Sequence, residues 1–418
     1  MAFKQVRLGD YFKFEKGLGY KGEFLAEESS VGLVGIDSQV PGGGYKENSE
    51  KPYSGPYKSE HVVDSGDVIV AATDITQDGS VLGSTLMIPE STNYETLIYS
   101  GDVMKVIPLN PDEFGLEYFY NLYRVEKYRK KVAYGDTGTT VRRLSEDGIS
   151  EQLVPLPDLP TQIAINEIIS LIDQQIANNR ALSRNLEALA QSVFKSWFID
   201  FDPVHANKNG EKPFGMDAET ANLFPDSFVK SELGDIPKGW KVSKLGDLVN
   251  LSWGDTKTTK ASYVANGFLA YSASGPDGYL KKFDYDEMGI VLSAIGANCG
   301  ATWLAIGKWS CIKNTIRIIE KNSNLHYIPY VFQLTSNKEF WPKRGSAQPF
   351  IGQEETRGIE VVDPEQELVA QYATLTNSLF VSISTLALEN SHLSELQKTL
   401  IPNFVDGFLK LPIDSIAS

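Results

Sequence analysis

The sequence predicts an α+β fold: two mixed α/β domains joined by two long antiparallel coiled-coil helices and built as an internal tandem repeat. Three observations carry that prediction. An apolar stripe of period 3.5 runs through Leu159 to Asp202, a second helical stripe follows Glu365, and matched short motifs put the two halves of the chain in register.

Residues 1–157 read as the first mixed domain. DSGDVIVAAT is a short apolar strand entered through a Ser-Gly turn, and GSVLGSTLMIP and ETLIYSGDVMKVIPL read as further strands. PDEFGLEYFYNLYRVEKYRKKVA is the best helix of this half, with Phe114, Tyr118, Leu122 and Val125 on one face. The loop GDTGTTVRRLSEDGI follows it.

Residues 158–202 form the first long helix. Ile165, Ile168, Ile172, Ile176, Leu182, Leu186, Leu189 and Val193 recur on one stripe, with Asn179 in the remaining slot; 28 residues in eight steps give a mean of 3.5, the period of a helix with a partner. Pro160 suits the first turn and Pro203 closes the segment. Residues 203–362 form the second mixed domain, opened by a polar lead-in segment, 203–236, that reads as loop and not as core. Residues 363–418 hold the second long helix and a tail. Its stripe is Tyr372, Leu375, Leu379, Ile383, Leu386, Leu393, Leu396 and Leu400, with Asn390 in a stripe position, until Pro402 interrupts it.

The halves repeat. Leu8-Gly9-Asp10 matches Leu245-Gly246-Asp247, Val68-Ile69-Val70 matches Ile290-Val291-Leu292, Gly148-Ile149 matches Gly358-Ile359, and Pro160 with Gln162 matches Pro364 with Gln366. The offsets fall steadily, 237, 222, 210 and 204, as a duplication with shortened loops requires. The repeat supplies each helix with its partner. In an antiparallel pair Asn179 and Asn390 fall near one another, either as a polar pair that fixes register or as two separate surface residues.

Composition excludes several classes. With 42% hydrophobic residues the chain fills real cores, and no run of 18 apolar residues offers a membrane span. Cys299 and Cys311 are too few for a disulfide framework, which fits the cytoplasm. The histidines His61, His205, His326 and His392 are isolated, so no metal site is expected, and no phosphate-binding loop or nucleophile elbow occurs. The expectation is a chain without catalytic chemistry. A net charge of −15 opposes nucleic-acid binding on average, yet Arg124, Lys127, Arg129, Lys130, Lys131, Arg142 and Arg143 place seven positive charges within twenty residues.

Two similar domains on rigid helices suit a duplex read at two half-sites. Each half has a glycine-bearing loop of small polar and basic residues after a helix. Those loops offer Thr137, Thr139, Thr140, Arg142 and Arg143 in the first half and Arg344, Ser346, Gln348 and Gln353 in the second, the side chains that read base edges and grip phosphates. The strand-end residues Thr73 and Asp74, and Ala297 and Asn298, are further DNA-binding candidates.

PLPDLPTQIAINEIISLIDQQIANNRALSRNLEALAQSVFKSWFIDFDPV, with LPxxxQ at the helix start, NR…LEALAQ…FKSWF within it and FDP at its exit, resembles the central region of type I restriction-modification specificity subunits. The resemblance covers the whole chain in outline as target recognition domain, helix, target recognition domain, helix. It implies binding of a split double-stranded DNA sequence, one half per domain. It also implies helices that dock two modification (methyltransferase) subunits carrying S-adenosylmethionine, and restriction (endonuclease) subunits using ATP and Mg, with no cofactor in this chain itself. Two rival readings are a coiled-coil protein-interaction scaffold, which the acidity favours, and an enzyme with an unrecognised site. If the first helix is a ruler, inserting one heptad lengthens it by about 10 Å. The gap in the methylated DNA motif then widens by about 3 bp, as sequencing of modified adenines in the host would record; an unchanged gap removes the ruler.

Overall fold

The computed structural model describes residues 3–74, 79–90, 92–132, 142–345 and 348–409. Contacts divide the chain into two compact units, Met1–Ala177 with Asn390–Ser418, and Asn178–Glu389. Both long helices, Leu159–Phe198 and Gln366–Val405, give one part to each unit.

In the first unit, strand Lys4–Arg7 pairs antiparallel with Leu153–Leu156. An antiparallel sheet orders Phe12–Lys16, Val103–Pro108, Val68–Ala71 and Thr85–Met87. A second sheet orders Lys51–Pro52, Val31–Val34, Thr96–Tyr99 and Val62–Val63, its middle pair parallel. Helix Leu116–Tyr123 buries Tyr118, Phe119, Leu122 and Tyr123 against Phe12, Phe14, Val68 and Val70. Ile165 and Ile169 of the first long helix and Ile401, Phe404 and Val405 of the second complete that core. Further along, Asp173 meets Gln397, so the two helices run antiparallel within this unit.

The second unit repeats the strand pair and both four-stranded sheets of this plan. Lys241–Lys244 pairs with Glu360–Asp363. Val249–Trp253, Thr315–Glu320, Gly289–Ser293 and Thr302–Ala305 form the antiparallel sheet. Gly275–Leu280, Phe268–Ser272, Lys308–Cys311 and Tyr285–Asp286 form the other, again with a parallel middle pair. Phe194, Trp197 and Phe198 pack with Tyr330, Leu368, Val369 and Tyr372. The tandem repeat is thus a repeat of topology. Gly9 and Gly246 show why that position is glycine in both units: a Cβ would sit 3.0 Å from Ser150 Cβ in one and from Arg357 Cβ in the other. Gln162 and Gln366 are also equivalent, since each donates from Nε2 to a carbonyl in the loop before the short helix of its own unit, Glu113 at 2.7 Å and Asn324 at 3.2 Å.

Several sequence expectations need correction. Leu8 N–H bonds Gln152 O and Leu245 N–H bonds Ile359 O, so Ile359 corresponds to Gln152 and the Gly148-Ile149 match to Gly358-Ile359 is three residues out of register. The lead-in segment is not merely loop: Val204, Phe224 and Ile236 enter the core, and Phe228–Ser231 pairs with Gly234–Pro237. The helix expected across residues 111–133 is two, Leu116–Tyr123 and Glu126–Val132. The stripes also shift. Leu182 and Leu189 are 48% and 51% exposed, whereas Ile169 and Ala190 are buried, because small Ala190 lets the Tyr372 ring reach the helix backbone. On the second helix Leu375 and Leu396 face outward and Thr376, Phe380 and Gln397 face in. Pro402 does not end that helix. It stands near the C-terminus, and Asn403 Nδ2 donates to Thr399 O at 2.8 Å where backbone donors run short. Asn179 is buried and Asn390 half-buried.

Glu320 ends the strand Thr315–Glu320, and its Oε1 accepts from Ile328 N–H at 2.8 Å at the start of helix Ile328–Leu334. Its Oε2 is buried with no hydrogen-bond partner among the described residues. Burial pushes the carboxyl up from 4.5 to about 7, opposed by the Ile328 bond and reinforced by Glu287. The unfolded chain therefore ionises first, and stability contributed at low pH is lost as pH rises from about 4.5 through about 7. Glu320→Gln keeps the Ile328 bond and removes this loss. Its stability relative to the native chain is expected to improve by on the order of 2 kcal/mol between pH 5 and pH 8, measured by denaturant unfolding; a pH-independent difference contradicts it.

Candidate nucleic-acid interface

In each unit the antiparallel sheet ends its strands together, and the loops that leave this edge hold most of the candidate residues. In the first unit the register Met104↔Lys16, Val103↔Ala71 and Val70↔Thr85 aligns the edge. Ala72 N–H and Thr73 N–H donate to Asp102 O at 2.9 and 3.1 Å, and Leu144 N–H donates to Ala72 O at 2.8 Å. Arg142 and Arg143 pair with Asp74 and Thr73 as a short antiparallel ladder. In the second unit Ala294 N–H donates to Asn314 O at 3.0 Å and Ile351 N–H to Ala294 O at 2.9 Å, the same two links. Gly296 N–H adds a bond to Pro349 O, and Arg344 and Phe350 exchange backbone hydrogen bonds at 2.8 and 2.9 Å.

The structure therefore brings Thr73 and Asp74 together with Arg142 and Arg143, and the loop of Ala297 and Asn298 together with that of Arg344 and Gln348. Thr137, Thr139, Thr140 and Ser346 lie outside the described residues. The placed candidates differ in what they offer. Arg143, Ala297, Arg344 and Gln348 are exposed, and Thr73 and Asn298 are half-buried. Arg344 forms an ion pair with Glu355, so a phosphate or base must compete with that carboxylate. Asp74 is buried, and its Oδ2 accepts from Val81 N–H at 2.7 Å and Leu82 N–H at 2.8 Å, so it shapes the loop. Gln353 spends its Nε2 on Leu251 O at 2.9 Å, fastening helix Gln353–Arg357 to the neighbouring strand. Nearby, Asp255 is held below its usual carboxylate range by the Thr258 hydroxyl and Lys257 N–H, which fixes the loop bearing exposed Lys257. Burial raises the Cys299 thiol, so this cysteine is an inert part of its loop.

Two turns at this edge escaped the sequence reading, Gly101-Asp102 and Lys313-Asn314. ETLIYSGDVMKVIPL reads as strand, but it contains a turn where the chain passes from one sheet to the other, Thr96–Tyr99 to Val103–Pro108, and the second unit turns likewise between Lys308–Cys311 and Thr315–Glu320. The turn-forming pairs Gly-Asp and Lys-Asn were the available signal.

The basic run belongs elsewhere. Arg124 is half-buried and holds Asp173 through Nη1 at 2.6 Å and Nη2 at 3.0 Å, and it reaches Gln397 at 3.1 Å. Lys127 pairs with Asp406, to which the Tyr128 hydroxyl also donates at 2.9 Å. Arg129 donates to Tyr123 O, Arg124 O and Gly42 O, and burial lowers its guanidinium from the usual range. Gly43, at φ 111°, lies where a Cβ would come within 2.7 Å of the Arg124 chain. These charges tie the long helices and the Pro41–Gly44 loop to the first unit. Asp173→Ala removes two charge-assisted hydrogen bonds from Arg124 and is expected to destabilise the chain by on the order of 2 kcal/mol, read from chemical unfolding, with no measurable loss ruling out the clamp.

Residues 2–188 and 237–368 match the family described as the type I restriction modification DNA specificity domain. The two stretches cover more than half of the chain, which belongs to this family. A type I restriction enzyme HindI specificity subunit of Haemophilus influenzae is 24% identical, over 67% of this chain and 74% of that protein. The MjaIX specificity subunit of Methanocaldococcus jannaschii is 23% identical, over 71% and 69%. The crystal structure of a type I restriction-modification S subunit from M. genitalium shares the fold at a TM-score of 0.60 and 14% identity, covering 97% of this chain and 96% of that one. Among the described residues no helix is long and apolar enough to cross a membrane, and no group of three or more His, Cys, Asp or Glu side chains is placed to hold a metal ion.

Proposed function

We propose that the chain is the DNA sequence-specificity subunit of a type I restriction-modification complex, binding a bipartite duplex target with one recognition unit per half-site. The observation that carries this is the duplicated edge. Each unit fastens a polar loop to the same strand ends through the same two backbone hydrogen bonds, while the loop sequences differ. A constant frame with variable loops is what reading two different half-sites requires.

Residues 1–157 and 203–362 serve as the recognition domains, and the helical regions 158–202 and 363–418 dock two methyltransferase subunits. Exposed Ile163, Leu171, Leu182 and Leu189 on one helix, and Leu375, Val381, Leu388 and Leu396 on the other, give those subunits apolar surface to cover. The chain carries no catalysis: S-adenosylmethionine belongs to the methyltransferase subunits, ATP and Mg to the restriction subunits. With a net charge of −15 the recognition edge contributes discrimination, and the partners contribute most of the phosphate neutralisation.

Arg142→Ala and Arg344→Ala in the assembled complex are each expected to weaken binding to the target duplex by about ten- to a hundredfold. Assembly should be unaffected. A band shift at one fixed salt concentration measures this, and unchanged affinity in both variants removes the loop assignment.

A further inference from the structure

The turns Gly101-Asp102 and Lys313-Asn314 occupy one structural position in the repeat. Ser100 bridges Leu18 and Ile312 bridges Asp255, both in parallel, and the carbonyl of the last turn residue receives Ala72 N–H in one unit and Ala294 N–H in the other. The turn thus stands on the same edge, between the loop that leaves Phe12–Lys16 or Val249–Trp253 and the loop of Ala72 or Ala294, which in turn holds the loop of the late candidates. Its backbone is fixed on both sides: Thr315 Oγ1 donates to Ile312 O at 2.6 Å, and Gly254 N–H donates to Thr315 O at 2.9 Å.

On this rigid mount the two units carry different chemistry. Asn314 has φ 69°, is exposed, and its amide makes no hydrogen bond within the protein among the described residues. Asn tolerates that conformation better than most residues, and Gly would adopt it freely, so the turn alone does not require an amide. Asp102 is half-buried, and its Oδ1 accepts from the Thr73 hydroxyl at 3.3 Å. Exposed Lys313 and Lys257 stand on the same edge to meet phosphates. A side-chain amide, with one acceptor and one donor side by side, matches the N6 and N7 edge of adenine, whereas a carboxylate only accepts, as from an exocyclic amino group.

Resting on the DNA-reading assignment above, we propose that Asn314 is a specificity-determining residue that reads an adenine in the half-site of the second unit, and that Asp102 is its counterpart for a base amino group in the other half-site. The pair is a position of the repeat at which the two halves of the target are written differently.

The test uses the complete chain with its methyltransferase subunits in a host whose methylated adenines are sequenced. Asn314→Gly preserves the turn and deletes the amide; Asn314→Asp preserves shape and removes the donor; Asp102→Asn changes the counterpart. Both Asn314 variants are expected to lose discrimination at one A·T pair in one half of the motif by about ten- to a hundredfold, with the other half untouched. Asp102→Asn should alter only that other half. Band shifts on duplexes substituted at the affected pair read the same ratio in the assembled complex. If the wild-type complex reads a split motif and Asn314→Gly reads it identically, the Asn314 assignment falls alone. A wild-type complex that reads no sequence removes the functional reading itself.

Discussion

Two backbone hydrogen bonds per unit hold the candidate edge, from the first loop to the turn and from the late loop back to the first: Ala72 to Asp102 and Leu144 to Ala72, then Ala294 to Asn314 and Ile351 to Ala294. Because they run between main-chain groups, they place no demand on side chains. Loop sequences are then free to change while the carbonyl and amide that fix the loops stay put. Glycine at positions 9 and 246 extends the same logic behind the edge, where a close approach to Ser150 or Arg357 seats the helix that precedes the returning strand.

Electrostatics is divided by location. Carboxylates meet the obvious cations wherever these bear on packing, as Asp173 meets Arg124 and Asp406 meets Lys127. On the candidate edge Arg344 is matched by Glu355. Such pairs lower the attraction of the isolated chain for any polyanion and leave selectivity to groups with directional hydrogen bonding.

The long helices, the duplication and the α+β class were legible because periodicity and repeated motifs are properties of the sequence alone. Finer features failed where one residue answered to two demands. Leu182 and Leu189 satisfy a 3.5 period, yet Ala190 is buried because an aromatic ring needs room, a fact that lies in the partner helix and not in the stripe. The cluster from Arg124 to Lys131 looks like a phosphate grip because its acidic partners sit about fifty and 280 residues away. Among the candidate contacts, loop membership was visible but burial was not: Asp74 and Gln353 are polar residues in the right loops that are spent on backbone groups. The turns Gly101-Asp102 and Lys313-Asn314 hid inside strand-like runs because apolar residues flank them on both sides.

The first unit is discontinuous: Ile401, Phe404 and Val405 pack with Phe12, Tyr118 and Ile165 in one core. During synthesis, the residues that seal this core emerge after the whole of the second unit. The first unit waits through more than two hundred codons with part of its apolar face open, so the amino-terminal half is the last to be finished. The order of synthesis, not the repeat, thus sets the order in which two equivalent halves mature.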